Sequence, residues 1–201
     1  MQWDKLANDE RVEKTANALR ERGIEVFIVD NREEAKAKVL ELLPKGAKVN
    51  MVSSTTLNQI GLADHVDNSD DYDSLGKRAK AISDPKERAE FRKSIMAPDY
   101  GIGSVHAVTE DGQLLDASAT GSQTAVYAFG AANVIYVVGT QKIVASLDEG
   151  LKRIYEHVLP LENERMMKAY NMPSSVNRIL IVEKEPKGRS RLVFVKEKLG
   201  F

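Results

Sequence analysis

The run NVIYVV, Asn133 to Val138, constrains the fold more than any other stretch. Val134, Tyr136 and Val138 alternate with Ile135 and Val137, so a strand here is apolar on both faces and both must be covered. Such a strand belongs in the middle of a sheet with helices on either side. The N-terminal third agrees. Leu6, Val12, Ala16 and Leu19 give a helical stripe that ends before Gly23, and Ile24 to Val29 is a continuous β-favouring run. Asp30 with Glu33 resembles a capping box for a helix over Ala35, Val39 and Leu43; Pro44 and Gly46 stop it, and Lys48 to Val52 reads as the next strand. The order βαβ predicts an α/β fold, a mostly parallel sheet flanked by helices.

Further along, residues 64 to 73 carry five Asp and no Lys or Arg, whereas 77 to 93 carry seven Lys/Arg against three Asp/Glu. That segregation suggests an excursion from the sheet, with a helix from Pro85 to about Met96 capped by Asp84. Its basic side reads first as a solvated face and second as a contact for an acidic ligand. Gly103 to Thr109 reads as one strand, Glu110-Asp111-Gly112 as a tight turn and Gln113 to Asp116 as the return strand. Ser146 and Glu149 form a capping box ahead of the stripe Leu151, Ile154, Tyr155, Val158. Ile179 to Val182 and Leu192 to Val195 flank the polar EKEPKGRS and read as a small C-terminal β-hairpin at a sheet edge. No repeat or linker divides the chain, so residues 1–201 are expected to form a single domain.

A formal net charge of −1 and 6% aromatic residues argue against a nucleic-acid binder, which would show a basic stripe or a stacking platform. With no cysteine in the sequence, disulfides and thiolate metal or iron–sulfur ligation are excluded. The start has no signal-like apolar core and no stretch is long enough to span a membrane, so the default location is the cytoplasm.

In an open α/β sheet, ligands gather beyond the carboxyl ends of the strands. Three polar loops follow strands: Ser53, Ser54, Thr55 and Thr56; then SATGSQ, with Thr120, Gly121, Ser122 and Gln123; then GTQK, from Gly139 to Lys142. A hydroxyl after a strand is also an ordinary helix N-cap worth about 1 kcal/mol, and for the first loop alone both readings stand. Three loops of one chemical character favour a binding site. The charged candidates for catalysis are Glu110, Asp116 and Lys142, each with a plain alternative as a turn residue, a cap or a surface cation. Parallel strands ending at Val52 and Thr109 place Glu110 at the end of Ser54, whereas a tight hairpin sends SATGSQ to the opposite end, and the sequence leaves that conflict open. His65, His106 and His157 lack ligand spacing, GIGS at 101–104 is too short for a phosphate loop, and no nucleophile-elbow or dinucleotide motif occurs. The residues name no cofactor.

The ordered set WDKLA…VEKTANALRERGIEV, SSTTLNQIGL, AVTEDGQLLDASATGSQ and FGAANVIYVVGTQKIV resembles the LUD (lactate-utilisation) domain family. The resemblance runs to about Arg165. It implies the fold shared by ribose-5-phosphate isomerase, glucosamine-6-phosphate deaminase and CoA transferases, in which the loop resembling Ser53 to Thr56 binds phosphate or a similar anion. The implied ligand is a small anionic metabolite: an organic acid, a sugar phosphate or a thioester. The family's link to oxidation of lactate to pyruvate implies iron–sulfur partner proteins. Two departures stand out. Relatives carry a Cys-rich segment where this chain has YNMPSSVNRI, and an Asn-Arg pair where it has Ser122 and Gln123. Without that arginine a bidentate clamp is lost. A catalytic or ligand-binding domain therefore competes with a non-catalytic accessory subunit and with a metabolite sensor; a homodimer is the ordinary expectation for self-association.

Overall fold

The computed structural model describes residues 2–201. Among the described residues ten strands form: β1 (Glu25–Val29), β2 (Lys48–Met51), β3 (Asp73–Ser74), β4 (Tyr100–Gly103), β5 (Ala107–Thr109), β6 (Leu114–Ser118), β7 (Asn133–Gly139), β8 (Ile143–Val144), β9 (Arg178–Val182) and β10 (Ser190–Val195). The α-helices are α1 (Asp9–Glu21), α2 (Arg32–Leu42), α3 (Thr55–Gln59), α4 (Leu62–Asn68), α5 (Leu75–Ala81), α6 (Pro85–Ser94), α7 (Ser122–Ala125), α8 (Leu147–Arg153) and α9 (Leu159–Tyr170). A π-turn, Ile154–Val158, joins α8 to α9, and another, Val126–Gly130, continues α7. Such turns recur at functional sites, and both of these contribute to the cleft described below.

Six strands lie parallel in the order β1-β10-β7-β4-β2-β3. The double-faced apolar pattern of β7 is used as its sequence requires. Val134, Tyr136 and Val138 enter one core with α1, while Ile135 and Val137 enter a second with α2, α3 and α4. A smaller sheet, β8-β5-β6-β9, has its own period-two division. Val108 and Leu114 face the first core; Ala107, Leu115 and Val144 pack with Ile154 from the helical run 147–170. No helix among the described residues is long and apolar enough to cross a membrane.

Caps begin most helices where the residues place them. Asp84 accepts from Glu87 N and Ser146 from Glu149 N, as expected. For α2 the cap lies one residue later than Asp30: Asn31 accepts from Glu34 N, while Glu34 takes the N–H of Asp30.

Three expectations need correction. The C-terminal strands form where expected, but they do not pair as a hairpin. β9 lies against β6 in the small sheet, and β10 lies between β1 and β7. The reason is burial: Leu192 and Phe194 fill one core and Val193 and Val195 the other, so β10 needs a central position that an edge hairpin cannot give. Second, residues 103–109 are not one strand. β4 ends at Gly103 and β5 starts at Ala107 in the other sheet, so the run Val105 to Val108 does not share the sheet of β2 and β7. The carbonyls at the break are held by side chains: Tyr127 donates to Ser104 O, Lys142 to Val105 O and Arg153 to His106 O. Buried backbone groups that leave a ladder need such partners. Third, because β5 leaves the main sheet, Glu110 does not reach the cleft beyond the carboxyl ends of β2, β4 and β7, and Arg11 and Lys14 of α1 hold it instead. The returning β6 then delivers loop 118–123 to that end.

Candidate functional site

Beyond the carboxyl ends of β2, β4 and β7 lies a cleft of about 430 Å³. After β2 come Ser53, Ser54, Thr55 and Thr56; after β4, Ser104; after β7, Lys142. From the small sheet, β6 adds Thr120, Ser122 and Gln123. Opposite this polar wall, Ile154, Val158, Leu159 and Met166 from the run 147–170 supply an apolar one, and Arg92 and Arg165 also line the space. Arg165 is engaged by Glu162 through two hydrogen bonds of 2.7 and 2.6 Å, while Arg92 is exposed and in no ion pair among the described residues.

Among the described residues Lys142 is the only lysine on the cleft lining, and it is 3% exposed. It reaches its place because Gly139 ends β7 and Thr140–Lys142 make one tight 3₁₀ turn. Its Nζ donates to Thr56 Oγ1 at 3.2 Å, Ser104 Oγ at 3.1 Å and Val105 O at 3.2 Å. Every acceptor is neutral. Burial, reinforced by the Arg153 guanidinium, pulls the ammonium from its ordinary 10.5 down to about 7, against an opposing pull from Asp116. A lysine in a cleft that keeps a substantial share of its free base near neutral pH is a candidate for chemistry. Over it lies the segment 199–201: Leu199 O accepts from Gln141 Nε2 at 2.8 Å, and Gly200 N donates to Gln59 Oε1 at 2.7 Å. Gly200 has φ 66°, and a Cβ there would run into Thr56 Oγ1 and come within 3.1 Å of Nζ. Glycine therefore lets this segment pack directly against Thr56 and the amine.

The hydroxyl loop both caps and lines. Ser54 Oγ accepts from Leu57 N at 3.4 Å, so the capping reading holds for Ser54. The hydroxyls of Ser53 and Thr55 make no hydrogen bond within the described residues and border the cleft. α3 has only 5 residues, so side-chain hydroxyls and the lysine, rather than a long helix dipole, supply the loop's attraction for an anion.

Asp116 lies under the cleft floor, 2% exposed. Gln123 Nε2 donates to its Oδ1 at 2.6 Å and to Ala117 O at 3.0 Å, so this glutamine ties the loop to the floor. His106 Nδ1 is 3.2 Å from the same carboxylate oxygen, yet it accepts the Ala117 N–H at 3.0 Å. A nitrogen using its lone pair that way cannot also donate, so His106 and Asp116 are neighbours rather than an ion pair, with the ring proton on Nε2.

Of the residues singled out in the sequence, the cleft brings together Ser53, Ser54, Thr55, Thr56, Thr120, Ser122, Gln123 and Lys142. Three others stand behind it. Asp116 is below the floor, Gly121 begins α7 with φ 84°, and Gly139 packs against the backbone of Glu197 and Leu199. Glu110 is elsewhere, held by Arg11 and Lys14 at 2.7 Å each. Those cations hold its carboxyl below the usual range, with the Lys14 hydrogen bond the largest cause. Glu110→Gln should cost no more than about 1 kcal/mol and leave any ligand response of the cleft unchanged, checked by paired thermal denaturation; a changed response would place Glu110 in the site. From the sequence, His106 is weighed only as a metal ligand and the basic helix carrying Arg92 first as a solvated face, and Tyr127 and Arg165 are not singled out. The only signal for Ser104 was GIGS, which marks the end of β4 rather than a phosphate loop.

The LUD domain family model matches residues 12–195. Among solved structures, the chain is similar to a DUF162 family protein from Deinococcus radiodurans at 13% identity and a TM-score of 0.55, covering 95% of this chain and 98% of that one. It also aligns with a D-ribose-5-phosphate isomerase in complex with phospho-erythronic acid at 12% identity and a TM-score of 0.40, over 82% of this chain and 94% of that one. The first of these shows a shared fold. No curated protein matches the sequence.

Proposed function

The chain belongs to the LUD domain family, and from that premise we propose that its cleft binds a small anionic metabolite, an organic acid, sugar phosphate or thioester. The observation that carries the reading is the convergence of three segments, distant in sequence, on one cleft with a buried lysine: Ser53 to Thr56 and Ser104, whose Thr56 and Ser104 hydroxyls accept from Lys142, and loop 118–123. The hydroxyls of Ser53 and Thr55 and the Arg92 guanidinium are unengaged donors for an anionic group. The apolar wall, from Ile154 to Met166, suits the carbon body of the same molecule. The family's link to lactate use puts lactate and pyruvate beside phosphate, sugar phosphates and CoA thioesters as ligands to try.

Because Ser54 caps α3 while Ser53 and Thr55 do not, capping and binding separate by mutation. Ser54→Ala should cost about 1 kcal/mol whether or not a ligand is present. Ser53→Ala with Thr55→Ala should change stability by less than about 0.5 kcal/mol. At 100-fold Kd of a true ligand the wild type gains about 2.7 kcal/mol, roughly 5 to 10 °C in midpoint for a chain of this length, and the Ser53/Thr55 variant loses most of that gain. Equal ligand-induced shifts in both proteins would reject binding through these hydroxyls.

A further inference from the structure

We propose that Lys142 is an amine nucleophile that forms an imine with a small carbonyl compound carrying an anionic group. The proposal rests on the reading of the cleft as an anion site and goes beyond it by naming a covalent step. Its geometric basis is the setting of Nζ. Two hydroxyls and a carbonyl surround it, and among the described residues no carboxylate is in ion-pair contact to hold its proton. An ammonium buried among neutral acceptors alone is expensive as a structural element, and a methionine would fill the same volume at less cost. The amine belongs to a residue that lines the cleft, with Gly200 packed closely against it and against Thr56. Its depressed basicity adds the lone pair that the chemistry needs near neutral pH.

The step balances without a further reagent. The Nζ lone pair attacks the carbonyl carbon, a C–N bond forms, and the carbonyl π electrons move to oxygen, which takes a proton from solvent through the Ser104 or Thr56 hydroxyl. The carbinolamine then loses that oxygen as water while nitrogen gives up its protons, leaving C=N. Arg92 and the hydroxyls of Ser53 and Thr55 would hold the anionic group of the same molecule. Ile154 and Val158, nearly or fully buried along the opposite wall, limit water around the imine.

Glyoxylate, the smallest molecule with both a carbonyl and a carboxylate, is the probe. The full chain is incubated with glyoxylate and sodium cyanoborohydride, which reduces an imine to a carboxymethyl-lysine, and digested for peptide mass mapping over time and pH. The expected result is carboxymethylation of Lys142 at least tenfold faster than of exposed Lys152 at pH 7, with half its limiting rate near pH 7 and slowing by inorganic phosphate. The rate on a free lysine peptide should still be climbing well above that pH. Labelling of Lys152 with none at Lys142, or equal rates on both, would overturn the proposal. Because wild-type kinetics carry the result, no variant has to fold. Lys142→Arg adds a control that keeps the cation and loses the adduct. Thermal shifts with phosphate and organic anions on the same preparation separate the two readings. A shift without a Lys142 adduct overturns the imine and leaves the anion site. A fast Lys142 adduct, indifferent to phosphate and without an anion shift, upholds the nucleophile and removes the anion reading.

Discussion

Replacing Lys142 with methionine should abolish most of the rise in stability that the wild type shows between about pH 7 and 10.5. In the folded protein burial holds the Lys142 ammonium at about 7, whereas in the unfolded chain it returns to its ordinary 10.5. Between those values the unfolded state binds a proton that the folded state does not. Stability therefore increases with pH across the window, is fully restored above 10.5, and carries the whole penalty below 7. The interval corresponds to on the order of 5 kcal/mol, an upper figure, because structural relaxation and water entry reduce such penalties. Lys142→Met has no proton to exchange, so the difference between the two proteins isolates the lysine from every other group that titrates there. We expect that difference to change by roughly 2 to 5 kcal/mol from pH 7 to 10.5, with the variant the more stable at the low end. The gain at low pH is partly offset, since Thr56 Oγ1, Ser104 Oγ and Val105 O each lose a donor. Urea denaturation of both proteins at half-unit steps of pH measures it; parallel curves would show that the folded ammonium is not depressed.

The same lysine shows what the sequence makes legible. GTQK follows the most apolar strand, so a parallel sheet puts it at the same carboxyl end as SSTT, and the order of similar motifs in the isomerase-like fold points to a shared cleft. β7 carried its central position in its own pattern, and the caps at Asp84 and Ser146 carried theirs. What stayed hidden depends on contacts between residues remote in sequence. Nothing local in GIGSVHAVT says that Tyr127, Lys142 and Arg153 will take the carbonyls of residues 104 to 106 and so divide one apparent strand between two sheets. Glu110 followed from that single misreading, for on an unbroken strand it would end beside Ser54. β10 was misplaced for a different reason: a polar connection between two apolar strands looks the same whether the strands pair or enter different sheets. Residues 183–189 permit either, and the apolar residues on both faces of β10 decide it.

That division of the strand yields the second large effect. Gly103 ends β4 where a Cβ would meet the Tyr127 hydroxyl and Val52 Cγ2 below contact distance, with Tyr127 Cζ 2.8 Å away. The glycine lets the Tyr127 ring, fully buried and edge-on to Tyr136 at 5.0 Å, reach across and donate to Ser104 O at 3.2 Å. Gly103→Ala should therefore destabilise by on the order of 3 kcal/mol, the upper range for overpacking a core. Tyr127→Phe alone should cost about 1 kcal/mol for the lost hydrogen bond. Together they should cost less than the sum, by about 1 to 2 kcal/mol, because the phenylalanine withdraws the nearest obstructing atom while Val52 still obstructs the new methyl. Four proteins unfolded in urea close the cycle, and additivity within about 0.5 kcal/mol would show that the Tyr127 hydroxyl is not what demands glycine. The cleft supplies an independent reading. Ser104 follows Gly103 directly and its hydroxyl accepts from Lys142 at 3.1 Å, so a shifted strand end moves one of the three groups that fix the amine. Gly103→Ala should thus weaken a ligand-induced thermal shift more than Tyr127→Phe does, since only the former displaces the backbone carrying that hydroxyl.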